Sequence, residues 1–376
     1  MQSELPPEPE PKLESAFAIA ESSVVIPGVS STPVPETPTY TDRRTGLVVF
    51  GTFQIIMGLL SALMIPLMVL GAFMSRMAPG AAMRPLQYVA TIVSYVALAA
   101  TFITFGIGSV LTKRWARALT LVTSWYWLIL GSLITVLFTA ILPVTFRSAM
   151  QQAERTSGAA SPEFTTGFMA IFLTIIIVLA AFFLIIVPLV YVIFYGRNDV
   201  GETCRRRDPI ERWTDRSPLP VLGAVVLNFV GALFSLMTAV TTPLFPFFGR
   251  YLTGLPGGAC FLAIGALDMY LAFALFRRQR SAWWIAILTV PVRILSMILT
   301  YGRADLFQAY SKIGVSDQQL QMMSANPIFR GHVILWWSLI SMFIYFGYLL
   351  WLKRYFREPE LPESTLPLAE PIGQLR

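Results

Sequence analysis

Charge is what this chain has least of. Lys, Arg, Asp and Glu make up 13% of its 376 residues, roughly half the ~25% of an ordinary soluble protein. Apolar residues make up 55%, above a usual share of about 45–50% that already counts glycine. Such a chain cannot cover a water-facing surface, which excludes a soluble multidomain protein and a disordered regulator. Two cysteines exclude a secreted disulfide scaffold. The single histidine, His332, excludes a bis-histidine haem and a His-Glu-x-x-His zinc protease. Metal sites need several clustered ligands, so His332 reads as an interfacial residue. There is no Gly-x-Ser-x-Gly elbow and no Gly-x-x-x-x-Gly-Lys-Ser/Thr loop, which removes serine-hydrolase and phosphate-loop chemistry of those types. No catalytic, cofactor-binding or metal-binding residue is assigned, no cofactor is expected, and the chain is not read as an enzyme.

What is present is a series of long apolar runs. Eight segments, roughly 46–73, 87–111, 118–145, 167–195, 220–243, 259–276, 282–301 and 332–352, each approach or exceed the ~20 residues that cross a bilayer. They predict an all-α polytopic membrane protein with eight transmembrane helices. Before them, residues 1–41 hold eight prolines, six glutamates and one lysine, which reads as a disordered acidic tail and not as a signal peptide. Residues 358–376 repeat that style. The tails carry −5 and −3 of a net +7, which leaves +15 on 42–357. Counting Lys and Arg on alternate connections orients the bundle. With the N-terminus in the cytoplasm, the inner connections hold seventeen and the outer ones eight, so both termini are expected inside. The basic residues are thus read as membrane orientation, with no nucleic-acid partner. The bilayer is the expected partner, with anionic inner-leaflet lipid attracted by the basic residues. Trp283, Trp284, Trp336, Trp337, Trp351 and Tyr355 sit at span ends and read as an aromatic belt.

The spans fall into two units, 42–196 and 220–357, joined by a basic linker, 197–219. Span 1 carries Gln54, Gly58 and Ser61; span 5 carries Asn228, Gly231 and Ser235. Spans 2 and 3 meet at Lys113-Arg114-Trp115-Ala116-Arg117, and spans 6 and 7 at Arg277-Arg278-Gln279-Arg280-Ser281-Ala282-Trp283. With four spans per unit, the two would enter the membrane in the same direction, as a parallel repeat. In the last outer loop, Ser316 and Gln319 fit a capping box.

The linker is the most distinctive stretch. Cys204 and Asp208-Pro209 are followed by Arg212-Trp213-Thr214-Asp215 and then by Pro218-Leu219-Pro220-Val221-Leu222. This run resembles the linker of a group of multi-pass bacterial membrane proteins with no assigned activity. The Arg114-Trp115-Ala116-Arg117 turn is also common in such proteins. The resemblance covers about thirty residues, implies a bacterial inner membrane, and carries over no activity or site.

Two charges lie inside the predicted membrane. Asp268 is near the middle of span 6 and Arg293 near the middle of span 7. Each alone costs at least about 2.5–3.5 kcal/mol at the bilayer centre. Antiparallel neighbours can bring them together. Hydroxyl, amide and small residues line the same helices: Thr289 and Ser296 beside Arg293, and Asn228 and Ser235 on span 5. These residues, with Gln54, form the candidate polar site. Such stripes usually mark helix–helix contact. The pair reads first as a structural clamp in a non-catalytic scaffold or accessory subunit; the alternative is a small-solute or proton-coupled transporter that uses it. Cys204, beside three arginines, reads as an ordinary loop thiol, with a reactive thiol of lowered pKa as the alternative. A protein partner or a second copy is left open.

Overall fold

A bilayer cannot hydrogen-bond a bare backbone, so apolar runs of this length close their hydrogen bonds internally, as helices. The computed structural model describes residues 40–75, 85–157 and 162–356. Both predicted tails lie outside these, apart from Tyr40 and Thr41. The first helices are α1 (Arg44–Ser75), α2 (Pro85–Val110) and α3 (Arg114–Ser157). Span 4 is composite: α4 (Pro162–Ala181) passes through a π-helical turn, Phe182–Ile186, into α5 (Val187–Gly196). The linker holds α6 (Asn198–Arg207) and a 3-10 turn at Trp213–Asp215. After α7 (Leu219–Thr241) comes an antiparallel hairpin, β1 (Leu244–Phe247) and β2 (Arg250–Thr253). Then follow α8 (Leu255–Phe276), α9 (Arg280–Arg303), α10 (Leu306–Lys312), α11 (Asp317–Ala325) and α12 (Gly331–Leu352). Eight helical segments among the described residues are long and apolar enough to span a membrane. The chain is an all-α polytopic membrane protein.

Glycine sets the closest helix contacts. A Cβ at Gly106 would stand 2.6 Å from the Gly51 carbonyl, and one at Gly58 would stand 3.0 Å from the Ala99 carbonyl. Without side chains there, the α1 and α2 backbones approach along most of their length. In the other unit α7 and α8 pair equally closely, and a Cβ at Gly265 would stand 3.3 Å from the Ala232 carbonyl. Gly131 of α3 admits the Leu184 carbonyl of the π turn. Pro188, in the first turn of α5, lacks an N–H, and local π geometry is one way a membrane helix absorbs that loss.

The two units share local geometry beyond their helix count. The α2–α3 turn closes with Lys113 N–H donating to the Gly108 carbonyl (2.8 Å) and Thr112 N–H to that of Ser109 (2.9 Å). At the α8–α9 turn Gln279 donates to Ala274 (3.0 Å) and Arg278 to Leu275 (2.9 Å). Both are Schellman closures. Each places a non-glycine residue in the left-handed region, Thr112 at φ 53° and Arg278 at φ 57°. Five residues after each, a side chain reaches the last span of its unit. Arg117 Nε donates to the Tyr195 carbonyl (3.1 Å), and Trp283 Nε1 to that of Leu349 (2.8 Å).

Several expectations need correction. Trp283 is not a belt residue: it is buried in the core with Leu275, Ala286 and Leu349. Residues 146–157, expected in a loop, continue α3, through Gln151, Gln152, Ala153 and Glu154, all adequate helix formers. The hairpin was not expected. Its two-residue turn has Phe248 at φ 38° and Gly249 at φ 96°, both positive as a type I′ turn requires. The capping box at Ser316 and Gln319 is present.

The linker is an ordered plate rather than a loose basic loop. Val200 and Cys204 of α6 pack with Leu47 of α1, Leu121 of α3 and Tyr195 of α5. Asp208 is 2% exposed; it faces Lys113 Nζ (3.4 Å), the Arg114 backbone N–H (3.4 Å) and Arg212 (3.8 Å). Asp215 pairs with Arg114 (3.3 Å) and caps its own turn through the Arg212 N–H (2.9 Å). Trp213 packs edge-on to Phe276 at the end of α8. Both units are therefore tied to one polar layer, here called the linker face. The hairpin lies at the opposite face.

Candidate functional site

Asp268 and Arg293 meet. Arg293 Nη2 donates to Asp268 Oδ1 at 2.5 Å. Helix geometry makes the contact natural. Asp268 lies eight residues from the linker-face end of α8 and Arg293 thirteen from that of α9, about 12 and 20 Å deep at 1.5 Å per residue. Side chains lean toward their helix N-terminus. That of α9 is at the linker face and that of α8 at the opposite face, so the two side chains lean toward each other and the long arginine closes the gap. The Asp268 side chain is 8% exposed and that of Arg293 is 25% exposed.

All four spans of the second unit contribute to the surroundings. Asn228 of α7 donates through Nδ2 to its own-helix Ala224 carbonyl (2.8 Å) and to the Tyr345 hydroxyl of α12 (3.0 Å). Tyr345 returns a hydrogen bond to Asn228 Oδ1 (3.3 Å). The Tyr345 hydroxyl lies within electrostatic reach of both charges. Gly231 of α7 lies against the carboxylate, where a Cβ would stand at contact distance, 3.5 Å from Asp268 Oδ2. Sequence reasoning missed Tyr345. Its signal was an aromatic residue with a polar tip at mid-span, away from either interface.

The other expected site residues lie elsewhere. Ser296 of α9 donates to the Pro246 carbonyl (2.8 Å) and accepts from Phe248 N–H (3.1 Å), while Thr300 accepts from Gly249 N–H (3.1 Å). This pair, four residues apart, seats the hairpin turn. Thr289 turns back onto its own helix at the Ala286 carbonyl (2.9 Å). Ser235 is buried at the α7–α8 contact beside Gly265. Gln54 belongs to the first unit, where its Nε2 reaches Thr120 at 3.5 Å and its Oε1 is buried without a hydrogen bond. Stripe membership fixed the helix face of these residues but not which neighbour that face meets.

Counted from the two turn residues at positive φ, Asp268 precedes Arg278 by ten residues and Arg293 follows it by fifteen; at the same offsets from Thr112 stand Phe102 and Trp127. Phe102 and Trp127 pack against each other with ring centroids 5.6 Å apart.

The reactive reading of Cys204 is overturned. The thiol is 1% exposed. Burial pushes it up to about 11, and the neighbouring arginines do not offset that. At pH 7.5 such a thiol is ionised only about once in 3,000. Iodoacetamide should alkylate Cys204 at least about 100-fold more slowly in the folded protein than after denaturation, with the rate rising as pH increases. Fast labelling of the folded chain at pH 7.5 would contradict this placement.

Among the described residues, no three His, Cys, Asp or Glu side chains gather as a metal site would require. The chain matches no protein-family model, no curated protein and no solved structure.

Proposed function

We propose that the protein is a non-catalytic scaffold or accessory subunit of a bacterial inner membrane, built from two related four-helix units, with the linker face and both termini in the cytoplasm. The observation that carries the scaffold role is the closure of the ion pair. Asp268 is spent on Arg293, Asn228 and Tyr345 are spent on each other, and all four lie within one helix unit. A group that handled a solute would need a polar face turned toward a path. Repeat ancestry is supported by the paired Schellman turns, by the matched Arg117 and Trp283 contacts, and by the glycine contacts at Gly58 and Gly265. Orientation is supported by the excess of Lys and Arg on the linker side. The bacterial setting is supported by the linker motif alone.

The test is the double variant Asp268→Asn with Arg293→Gln. The two amides leave no unpaired charge, which is the costly outcome of breaking a buried pair, and can keep one neutral hydrogen bond between them. The double variant should insert and unfold within about 1 kcal/mol of wild type, with its role in the host intact. A double variant that folds normally but abolishes substrate-dependent flux would replace this reading with the transporter.

A further inference from the structure

A cleft of about 590 Å³ opens between the two units, within the ~300–1,000 Å³ typical of small-molecule sites. Its floor is α7, through Pro220, Gly223 and Leu227. One wall is α3, at Tyr126; the other is α12, at Tyr348. The lining is almost entirely carbon.

Its depth is about that of one leaflet. The lining runs from Leu219 to Leu227 on α7, from Trp351 back to Ser341 on α12 and from Leu121 to Leu133 on α3, about 12–18 Å at 1.5 Å per residue. That is half or a little more of the ~30 Å hydrocarbon core. The cleft begins at the linker face and reaches about mid-depth.

The tyrosine hydroxyls of the two walls are turned to the protein. The Tyr126 oxygen is buried beside the Tyr348 hydroxyl, which donates to the Pro220 carbonyl at 2.5 Å, and both lie against Gly223. The trough itself therefore presents carbon.

The rim is basic. The Arg354 guanidinium lies 4.1 Å over the ring of Trp351, which lines the cleft. Arg216 is exposed three residues before Leu219. From the rim downward the order is cation, then a carbon trough about as deep as one leaflet.

We propose that this cleft holds one acyl chain of an anionic glycerophospholipid, with Arg216 and Arg354 facing the phosphate. The inference rests on the chain being a membrane protein with its linker face at one bilayer surface; it does not depend on the scaffold role.

The test is native mass spectrometry of the full chain in mild detergent. Phosphatidylglycerol and phosphatidylcholine of identical chains would be titrated separately. Wild type should retain one phosphatidylglycerol, bound at least about tenfold more tightly than phosphatidylcholine, since each basic residue near the surface adds about 1 kcal/mol. Leu227→Trp, which fills the trough, should weaken retention about tenfold or more while the unfolding midpoint stays in place. Arg216→Gln with Arg354→Gln should erase the headgroup preference. Should Leu227→Trp not fold, the arginine double variant decides. Equal binding of the two lipids by wild type, or undiminished retention by these variants, overturns the proposal. So does a dimer that Leu227→Trp dissociates, because a second copy then fills the cleft. A chain that inserts into vesicles but retains no lipid refutes the cleft alone; one that fails to insert refutes the membrane reading too.

Discussion

Asp268→Ala should destabilise the folded protein by about 3–5 kcal/mol, the cost of removing one partner from a buried ion pair. The mechanism is specific. Truncation leaves the Arg293 guanidinium about 20 Å along α9 without its carboxylate. Arginine cannot shed its proton to escape, and a lone charge at mid-bilayer costs at least about 2.5–3.5 kcal/mol. Its quarter exposure lets it recover part of this by reaching toward an interface. Arg293→Gln should cost less, because the glutamine amide keeps an N–H donor for Asp268. The order is therefore Asp268→Ala worst, Arg293→Gln milder, and the neutral double variant mildest. Reversible unfolding in detergent, followed by helix content, measures all three. The swap of Asp268→Arg with Arg293→Asp should recover part of the loss, since the same two atoms can meet in reverse. Equal midpoints for wild type and Asp268→Ala would show that the contact does not hold the unit together.

Asp208→Ala should cost about 2–3 kcal/mol, and should loosen the two units from their shared plate before it melts either one. Asp208 is the most buried described carboxylate on the linker face. It takes the Arg114 backbone N–H at the start of α3 and balances Lys113 and Arg212. Hydrogen bonds to a charged group are worth about 1.5–3 kcal/mol. Lys113 and Arg212 keep about a third of their side-chain surface in water, which limits the penalty of leaving them unpaired. Hydrogen exchange should show early opening of α6 and of the α2–α3 turn, with α8 and α9 still protected. Uniform loss of protection across all helices would mean that Asp208 serves the whole bundle rather than the plate.

Span number, span type and the alternation of basic connections were legible in the sequence because lipid imposes them locally. A run of twenty apolar residues must close its own backbone hydrogen bonds wherever it lies. The matching depth of Asp268 and Arg293 was legible too: two mid-span charges on consecutive antiparallel helices can meet. Ser296 and Gln54 show the limit. Each was read as part of a polar site, yet Ser296 seats the hairpin and Gln54 lies in the other unit. Periodicity gives the face of a helix, not the neighbour that face meets. Cys204 shows the same limit. Three adjacent arginines offered a lowered pKa as the alternative to an ordinary loop thiol, but α6 turns the thiol into a core of Leu47, Leu121 and Tyr195, where desolvation outweighs the charges.

The sequence by itself determined an eight-span helical membrane chain and placed two charges at matching depth in consecutive spans, because single-helix solvation depends on composition and spacing alone. Only the tertiary structure decided that Asp268 and Arg293 touch, that Tyr345 joins Asn228 beside them, and that a cleft remains between α3, α7 and α12. Those depend on which helix faces touch, and lipid, being as apolar as leucine, leaves that choice to small residues and shape.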